Sequence, residues 1–370
     1  MLKKLKKIAK KLLGIKLVRK TFNKINIVIL TVAASTRLTS VLYHWVFFYV
    51  FAREQHANLK GRLNYYKNLN RQTYSKTPLR RNIHRLEKAL IMRPLRDSFA
   101  LNYIEETVEQ YVLAATQYGL DKNSYDESEL AWGHDVFTRY FKAVKPTPFL
   151  ENLKERFEQA GFEPNAKETE KAPFERGEDK KPPVGYDALL DLSMRRRSVR
   201  WFKQKKVPRE LIDKALLVAR QAPTACNRLP YEFRVFDDPR LVKKVANIPF
   251  GTGGYADNIP TIIVVLGKQE SYFSSRDRHL IYIDSSLAIM GFVYALETLG
   301  LSSTCINWPD FPPLENKMQK SLGLKTDERP IMLLAVGYPD PKGAIPYSQK
   351  KSLEGLRSYN KLGDNASLRS

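Results

Sequence analysis

Cysteine is nearly missing from this chain. Only Cys226 and Cys305 occur among 370 residues, too few for a disulfide framework and suited to a reducing cytosol. Histidine is also scarce: the five, at 44, 56, 84, 134 and 279, never recur at ligand spacing. His84 and Glu87, three apart on a helix, read as an ordinary exposed pair, so no metal is expected. No acidic residue precedes Glu54. There is no G-x-G-x-x-G between a strand and a helix and no G-x-x-x-x-G-K-[ST], which excludes a separate dinucleotide-binding fold and a P-loop.

What is present begins with charge. The formal net charge is +23, and twelve basic residues stand before the first carboxylate: Lys3, Lys4, Lys6, Lys7, Lys10, Lys11, Lys16, Arg19, Lys20, Lys24, Arg37 and Arg53. Leu2, Leu5, Ile8, Ala9 and Leu12 recur among them at helical spacing, the pattern of a basic amphipathic helix on an anionic membrane surface. The lysines interleave with leucines rather than with stacking aromatics, so nucleic acid is not expected as a partner. The apolar stretch that follows is divided by Arg37. Its longer part, Leu38 to Ala52, covers about 22 Å as a helix, short of a hydrocarbon core of roughly 30 Å. A helix lying on the membrane or packed on the protein is favoured over one that spans, and the basic lead is too long for a cleaved signal peptide.

Residues 53–161 read as helical. Phe99, Tyr103, Ile104, Val108, Tyr111, Val112 and Ala115 share one stripe, with Gly119 as the stop. "NYYKNLNRQTYSKTPLRRN" and "LDKNSYDESE" read as connections. Residues 162–185, polar, charged and proline-bearing, read as a linker. After it the pattern alternates. "YEFRVFDD", "TIIVVLG" and "PIMLLAVGYP" read as strands, and an apolar helix from about Tyr282 to Leu299 is either central to the core or an oligomer interface. Strands alternating with helices imply layers of both.

Three irregular segments carry candidate chemistry. Arg196, Arg197, Ser198 and Arg200 lie in a loop after a helix, where guanidinium groups and a hydroxyl suit a phosphate, or else form a solvated basic loop. "QAPTACNRLP" precedes a strand. "PFGTGGYADNIP" has glycines that let backbone amides approach a flat ligand, or simply turn.

The order of these segments, "RRSVR", "APTACN", a buried strand after "NIP", an apolar helix ending "LETLGL", then "STCINWPD", a strand, and "SQKKSLE", resembles the FMN-dependent nitroreductase family. The resemblance covers roughly residues 186–357. It implies an α+β protein: a three-layer α/β/α domain with a central mixed sheet, preceded here by an all-helical N-terminal region, with residues 358–370 as a tail. The N-terminal half, with "HRLEKAL" and the basic leader, is similar to a subgroup encoded beside bacterial surface-polysaccharide genes.

The family's pattern assigns FMN, and NADH or NADPH as transient donor. It implies that Arg196, Arg197 and Ser198 hold the FMN phosphate and ribityl chain, and that Arg200 stands near the N1 and O2 edge of the ring. Pro223, Thr224, Ala225 and Asn227 would cover one end of the flavin from the partner subunit. Cys305, Ile306, Asn307 and Trp308 would lie under the ring, and Lys350 would reach the phosphate. Thr252, with Tyr255 and Asn258, stands where the family often has an asparagine and a lysine. Arg200 and Asn307 are the residues assigned to catalysis. The implied protein is a homodimer with flavin at the interface, cytoplasmic and peripheral on the inner face of the membrane. It would transfer two electrons to a small-molecule substrate by a ping-pong mechanism. Two alternatives remain open: a noncatalytic scaffold in polysaccharide assembly, and dehydrogenation of a sugar or lipid-linked intermediate.

Overall fold

The structure is a computed structural model that describes residues 16–46, 51–70, 76–165, 167, 169–177 and 182–362. The leader expected over residues 1–15 and the end of the tail lie outside the described residues.

The sheet is built from β1 (Tyr231–Phe236), β2 (Thr261–Lys268), β3 (Ser302–Asn307) and β4 (Glu328–Gly337), ordered β1-β2-β4-β3. All three strand pairs are antiparallel, with Thr261 opposite Val336 and Ser302 opposite Gly337. Among the described residues the one parallel pairing is an isolated bridge, Ser198 to Ser303, where the arginine loop lies along the free edge of β3. The central sheet, expected to be mixed, is antiparallel in its four strands. β2 and β4 are buried almost throughout, which is why they read as continuous apolar runs.

Successive residues of β2 face opposite cores, as a pleat requires. Ile263 and Val265 meet α9 (Arg209–Ala219) and α11 (Leu280–Thr298) through Ile212, Ala215, Ala288 and Phe292. Ile262, Val264 and Leu266 meet α10 (Pro239–Ala246) and α12 (Pro312–Leu322) through Val242, Val245, Leu314 and Met318. The result is the three-layer α/β/α arrangement. By length and composition Ser275–Thr298 could cross a membrane, but half of its most apolar window is buried inside the protein. Its outward residues Ile283, Leu287 and Met290 remain exposed, so α11 is both core and open face.

The N-terminal helices α4 (Lys76–Leu90), α5 (Ile104–Leu120), α6 (Glu127–Ala143) and α7 (Pro148–Glu158) enclose a second core that includes Leu79, Ile83, Ile104, Tyr111, Phe137 and Phe157. The expected stripe on α5 is largely buried there, although the helix runs one residue past Gly119. His84 and Glu87 are not a simple exposed pair. Glu87 takes the His84 ring at 3.0 Å and the Trp132 indole at 2.9 Å, tying α4 to α6. The start of the linker is docked as well: Arg139 forks onto Glu170, and Lys171 donates its amide to Asp135 at 2.7 Å.

The segment "NYYKNLN", expected as a connection, instead lies inside α3 (Ala52–Asn70), which is tied across the protein at Asn64 and, just before the segment, at Arg62. Asn64 donates to Asp327 at 3.1 Å, Arg62 donates to the Phe273 carbonyl at 3.1 Å, and Tyr65 is buried. Gly61 is required by this packing: a Cβ there would sit 2.5 Å from that of Gln269. Gly61→Ala should therefore lower the melting temperature through about 1–3 kcal/mol of overpacking, although glycine to alanine within a helix ordinarily stabilises. A thermal unfolding curve shifted upward would contradict the close approach.

Before α3, α1 (Lys16–Ala33) and α2 (Arg37–Val46) form a helical hairpin, so Arg37 begins a helix rather than interrupting one. Its turn satisfies itself. Thr39 and Ser40 donate their hydroxyls to the Ala33 carbonyl, and Thr36 and Thr39 cap one another.

Candidate active site

Helix α8 (Tyr186–Arg195) ends where Arg196 turns to an extended conformation. Beyond it the chain joins the edge of β3, and the Val199 amide donates to the Ser303 carbonyl at 3.0 Å. Phe202 is buried, and its amide donates to the Asn258 side chain at 2.6 Å. The arginine loop is thus fixed on one side by β3 and on the other by the "GTGGYADN" loop. Gly337 fits beneath it: a Cβ there would meet Pro260 at 2.6 Å and Phe202 at 2.8 Å.

Along β3 the side chains divide. Thr304 and Ile306 are buried, while Cys305 and Asn307 are exposed. Arg196 belongs to the same neighbourhood. Its Nε is buried without a hydrogen-bond partner, and its charge is felt by Cys305 and by Glu297 of α11. Burial pushes the Cys305 thiol above its ordinary range and Arg196 opposes the shift, so Cys305 reaches the surface of the protomer but favours the neutral thiol. The Ser303 hydroxyl, on the same face of β3, is also buried without a partner. An orphaned guanidinium nitrogen beside an open strand edge fits an anionic group such as a flavin phosphate.

Arg200 donates to the Ser198 carbonyl at 3.3 Å and lies 5.8 Å from the centre of the Tyr255 ring. Burial raises the Tyr255 phenol, and Arg200 draws it back. Arg197 and Ser198 are half-buried on the same loop.

The 223–229 loop is ordered by two elements. Asp284, a carboxylate in the first half of the apolar helix α11, accepts from the Ala225 amide at 2.9 Å and from the Tyr272 hydroxyl at 3.0 Å. Its carboxyl is raised by burial, against the pull of those hydrogen bonds. From the other side Arg80 of α4 donates to the Asn227 carbonyl at 3.2 Å. The Thr224 hydroxyl accepts the Leu229 amide at 3.2 Å, and Pro223 is exposed. Cys226, Asn227 and Leu229 all have positive φ, a conformation held here by these contacts rather than by glycine.

Two expected side chains point elsewhere. Thr252 is buried with its hydroxyl on the Ala246 carbonyl at 2.6 Å, so it closes its own loop. Trp308 is buried and donates its indole N–H to Glu315 at 2.6 Å, leaving its backbone for the site. Lys350 is exposed in the tail after β4. Asn258, Asp284 and Arg80, which position two of the three loops, had no assigned contacts in the sequence reading. Asp284 alone carried a legible signal, as a carboxylate within an apolar helix. A cavity of about 600 Å³ is lined by Trp201, Gly253, Gly254, Tyr255 and Asn258 beside the arginine loop.

These elements form an α+β domain with three irregular segments gathered at one edge of its sheet. Residues 194–253 and 246–338 match the family model described as the Nitroreductase family, and this part of the chain has a nitroreductase-like fold. The iodotyrosine deiodinase of Haliscomenobacter hydrossis is 28% identical over 184 residues, covering 42% of this chain and 81% of its own. A putative NADH dehydrogenase/NAD(P)H nitroreductase of Methanothermobacter thermautotrophicus is 26% identical, covering 41% and 77%. Among solved structures, a putative NADH oxidase of Clostridium acetobutylicum aligns at 25% identity over 46% of this chain and 100% of its own, with a TM-score of 0.41.

Proposed function

We propose that this protein is an FMN-dependent oxidoreductase that passes two electrons from NADH or NADPH to an oxidised organic molecule by a ping-pong mechanism. The observation that carries the reading is the buried, unpartnered Nε of Arg196 beside the open face of Cys305 and Asn307. Bound FMN would supply the hydride-accepting centre, chemistry that no side chain here provides. In this reading Arg196, Arg197 and Ser198 hold the phosphate and ribityl chain, and Arg200 places positive charge at the ring edge. The segment Cys305–Trp308 lies beneath the ring, and Pro223, Thr224, Ala225 and Asn227 cover its end. Asn307, on the open face of β3, is available to orient the substrate. The name of the Methanothermobacter relative supports NAD(P)H as donor. Steady-state rates measured at several NADH and quinone concentrations should give parallel double-reciprocal lines; intersecting lines would overturn the ping-pong order.

The half-exposed α11 face, with Ile283, Leu287 and Met290, supports a homodimer in which the flavin lies at the interface. A role in surface-polysaccharide assembly rests on the resemblance of the N-terminal half alone.

The hairpin supports a peripheral place on the inner face of the cell membrane. No described side chain of α2 is buried, and Phe22, Ile25, Ile29 and Val32 of α1 and Leu38, Val41, Leu42 and Trp45 of α2 form exposed apolar stripes. From Lys24 to its end at Ala33, α1 covers about 14 Å, too little for a bilayer core but suited to an in-plane position with the basic residues at anionic headgroups. The full-length protein should sediment with anionic vesicles and be released by high salt or by deletion of residues 1–52. Recovery in the soluble fraction at low salt would count against this position, and retention through alkaline wash would mean that the segment spans.

A further inference from the structure

Helix α4 meets the 223–229 loop through arginines, and they are not equally compensated. Arg80 forms an ion pair with Glu129 at 2.5 Å. Arg81 and Arg85 have no carboxylate at ion-pairing distance among the described residues. Instead both donate to one neutral acceptor, the buried side-chain oxygen of Asn82, at 3.1 Å each. The two guanidinium groups therefore approach within twice that distance of each other. Aromatic rings hold them in place: Arg85 lies 3.5 Å from the centre of Tyr103, and Arg81 lies 4.9 Å from that of Phe273.

A third cation closes on the same region. Arg228, 6% exposed, stacks 5.0 Å from the centre of the Tyr272 ring and donates to the Ala225 carbonyl at 3.3 Å. The Nε atoms of Arg81 and Arg228 are both buried without a hydrogen-bond partner. The Tyr65 phenol feels Arg81 and Arg228, and Arg85 feels Cys226, so the three guanidinium groups gather around the inner side of the loop. Burial, and then Arg81, push Arg85 below its ordinary range, the direction expected of like charges held together in a dry place. Asp284 faces Arg228 and Glu106 faces Tyr65, but neither forms an ion pair with the cluster, and buried orphaned guanidinium donors are costly unless an anion completes them.

We propose that Arg81, Arg85 and Arg228 form a binding site for a carboxylate or phosphate, and that the group belongs to the oxidised substrate. The second half of this statement rests on the flavin reading. Guanidinium forks match the two oxygens of such a group in its own plane. The substrate is favoured over a free ion because α4 and Arg228 hold the loop assigned to cover the ring: Arg80 donates to the Asn227 carbonyl and Arg228 to the Ala225 carbonyl. The substrate class is then an oxidised compound bearing an acidic group. Helix α4 lies outside the matched residues 194–338, so the added helical region contributes substrate selection.

Full-length protein loaded with FMN, and its Arg81→Gln, Arg85→Gln and Arg85→Lys variants, provide the test. Inorganic phosphate, compared with chloride at equal ionic strength, should raise the melting temperature of the unaltered protein. It should bind Arg85→Gln at least about tenfold more weakly, with Arg85→Lys between. With NADH as donor, kcat/KM for 4-nitrobenzoate should exceed that for the neutral 4-nitrobenzamide by about tenfold, and the ratio should fall toward one in both glutamine variants. Phosphate binding without a preference for the acid would overturn the substrate assignment and leave a free-phosphate site. No phosphate effect and no preference would overturn the site. If neither acceptor is reduced, the flavin reading fails, and the phosphate arm alone decides the site.

Discussion

Arg196→Ala is expected to weaken FMN binding roughly ten- to a hundredfold, because in the proposed reading it removes one charge-assisted contact to the phosphate worth about 1.5–3 kcal/mol. Its reduction potential should hardly change, since the phosphate keeps its charge during turnover. Arg200→Ala should do the opposite. If Arg200 faces the ring, it favours the anionic reduced flavin over the neutral oxidised one, and a differential of about 1.4 kcal/mol would lower the two-electron potential by roughly 30 mV. Arg195, last in α8 and exposed, should be replaceable. Affinity and midpoint potential measured for the three alanine variants separate these roles. Equal losses of affinity with no shift in potential would mean an undifferentiated phosphate patch.

Glu315→Ala should produce the largest loss of stability. Glu315 is fully buried in α12 and accepts the Trp308 indole, pairs with Arg53 of α3, and lies 3.6 Å from Arg329, itself 1% exposed. Asp310 also pairs with Arg329, at 3.2 Å. Burial and the neighbouring Arg329 lower Arg53 to about 10. Without Glu315 two buried cations lose a shared counter-charge, a change worth about 3–5 kcal/mol. The same carboxylate joins α3 to the segment just after Asn307, so the variant should also bind FMN more weakly. Thermal unfolding and FMN titration check both effects. An unshifted melting temperature would show that Asp310 alone suffices.

The parts of the fold that sequence revealed are those where burial acts on both sides. β2, β4 and α11 are buried deeply enough to read as apolar runs, and their lengths followed. β3 was not recognised as a strand because "SSTCIN" is small and polar, and only its edge pairing with β4 makes it one. The C-terminal part of α3 was read as a connection for a related reason: "NYYKNLN" looks solvated until Asn64 finds a partner more than two hundred residues away. The structure sets the loop that carries Arg196 and Arg200 along the strand β3 that carries Cys305 and Asn307, while Thr252 and Trp308 turn their side chains inward. The unpaired state of Arg81 and Arg85 was not legible, because a sequence shows charges but not which of them meet.

The most direct test of the account is the absorbance spectrum of the full-length protein after incubation with FMN and removal of unbound flavin, recorded before and after anaerobic addition of NADH or NADPH. The account predicts flavin bands close to one FMN per chain that bleach on addition of one of the two donors. A protein that retains no flavin, or retains it unbleached by either donor, would contradict the assignment and favour a noncatalytic scaffold.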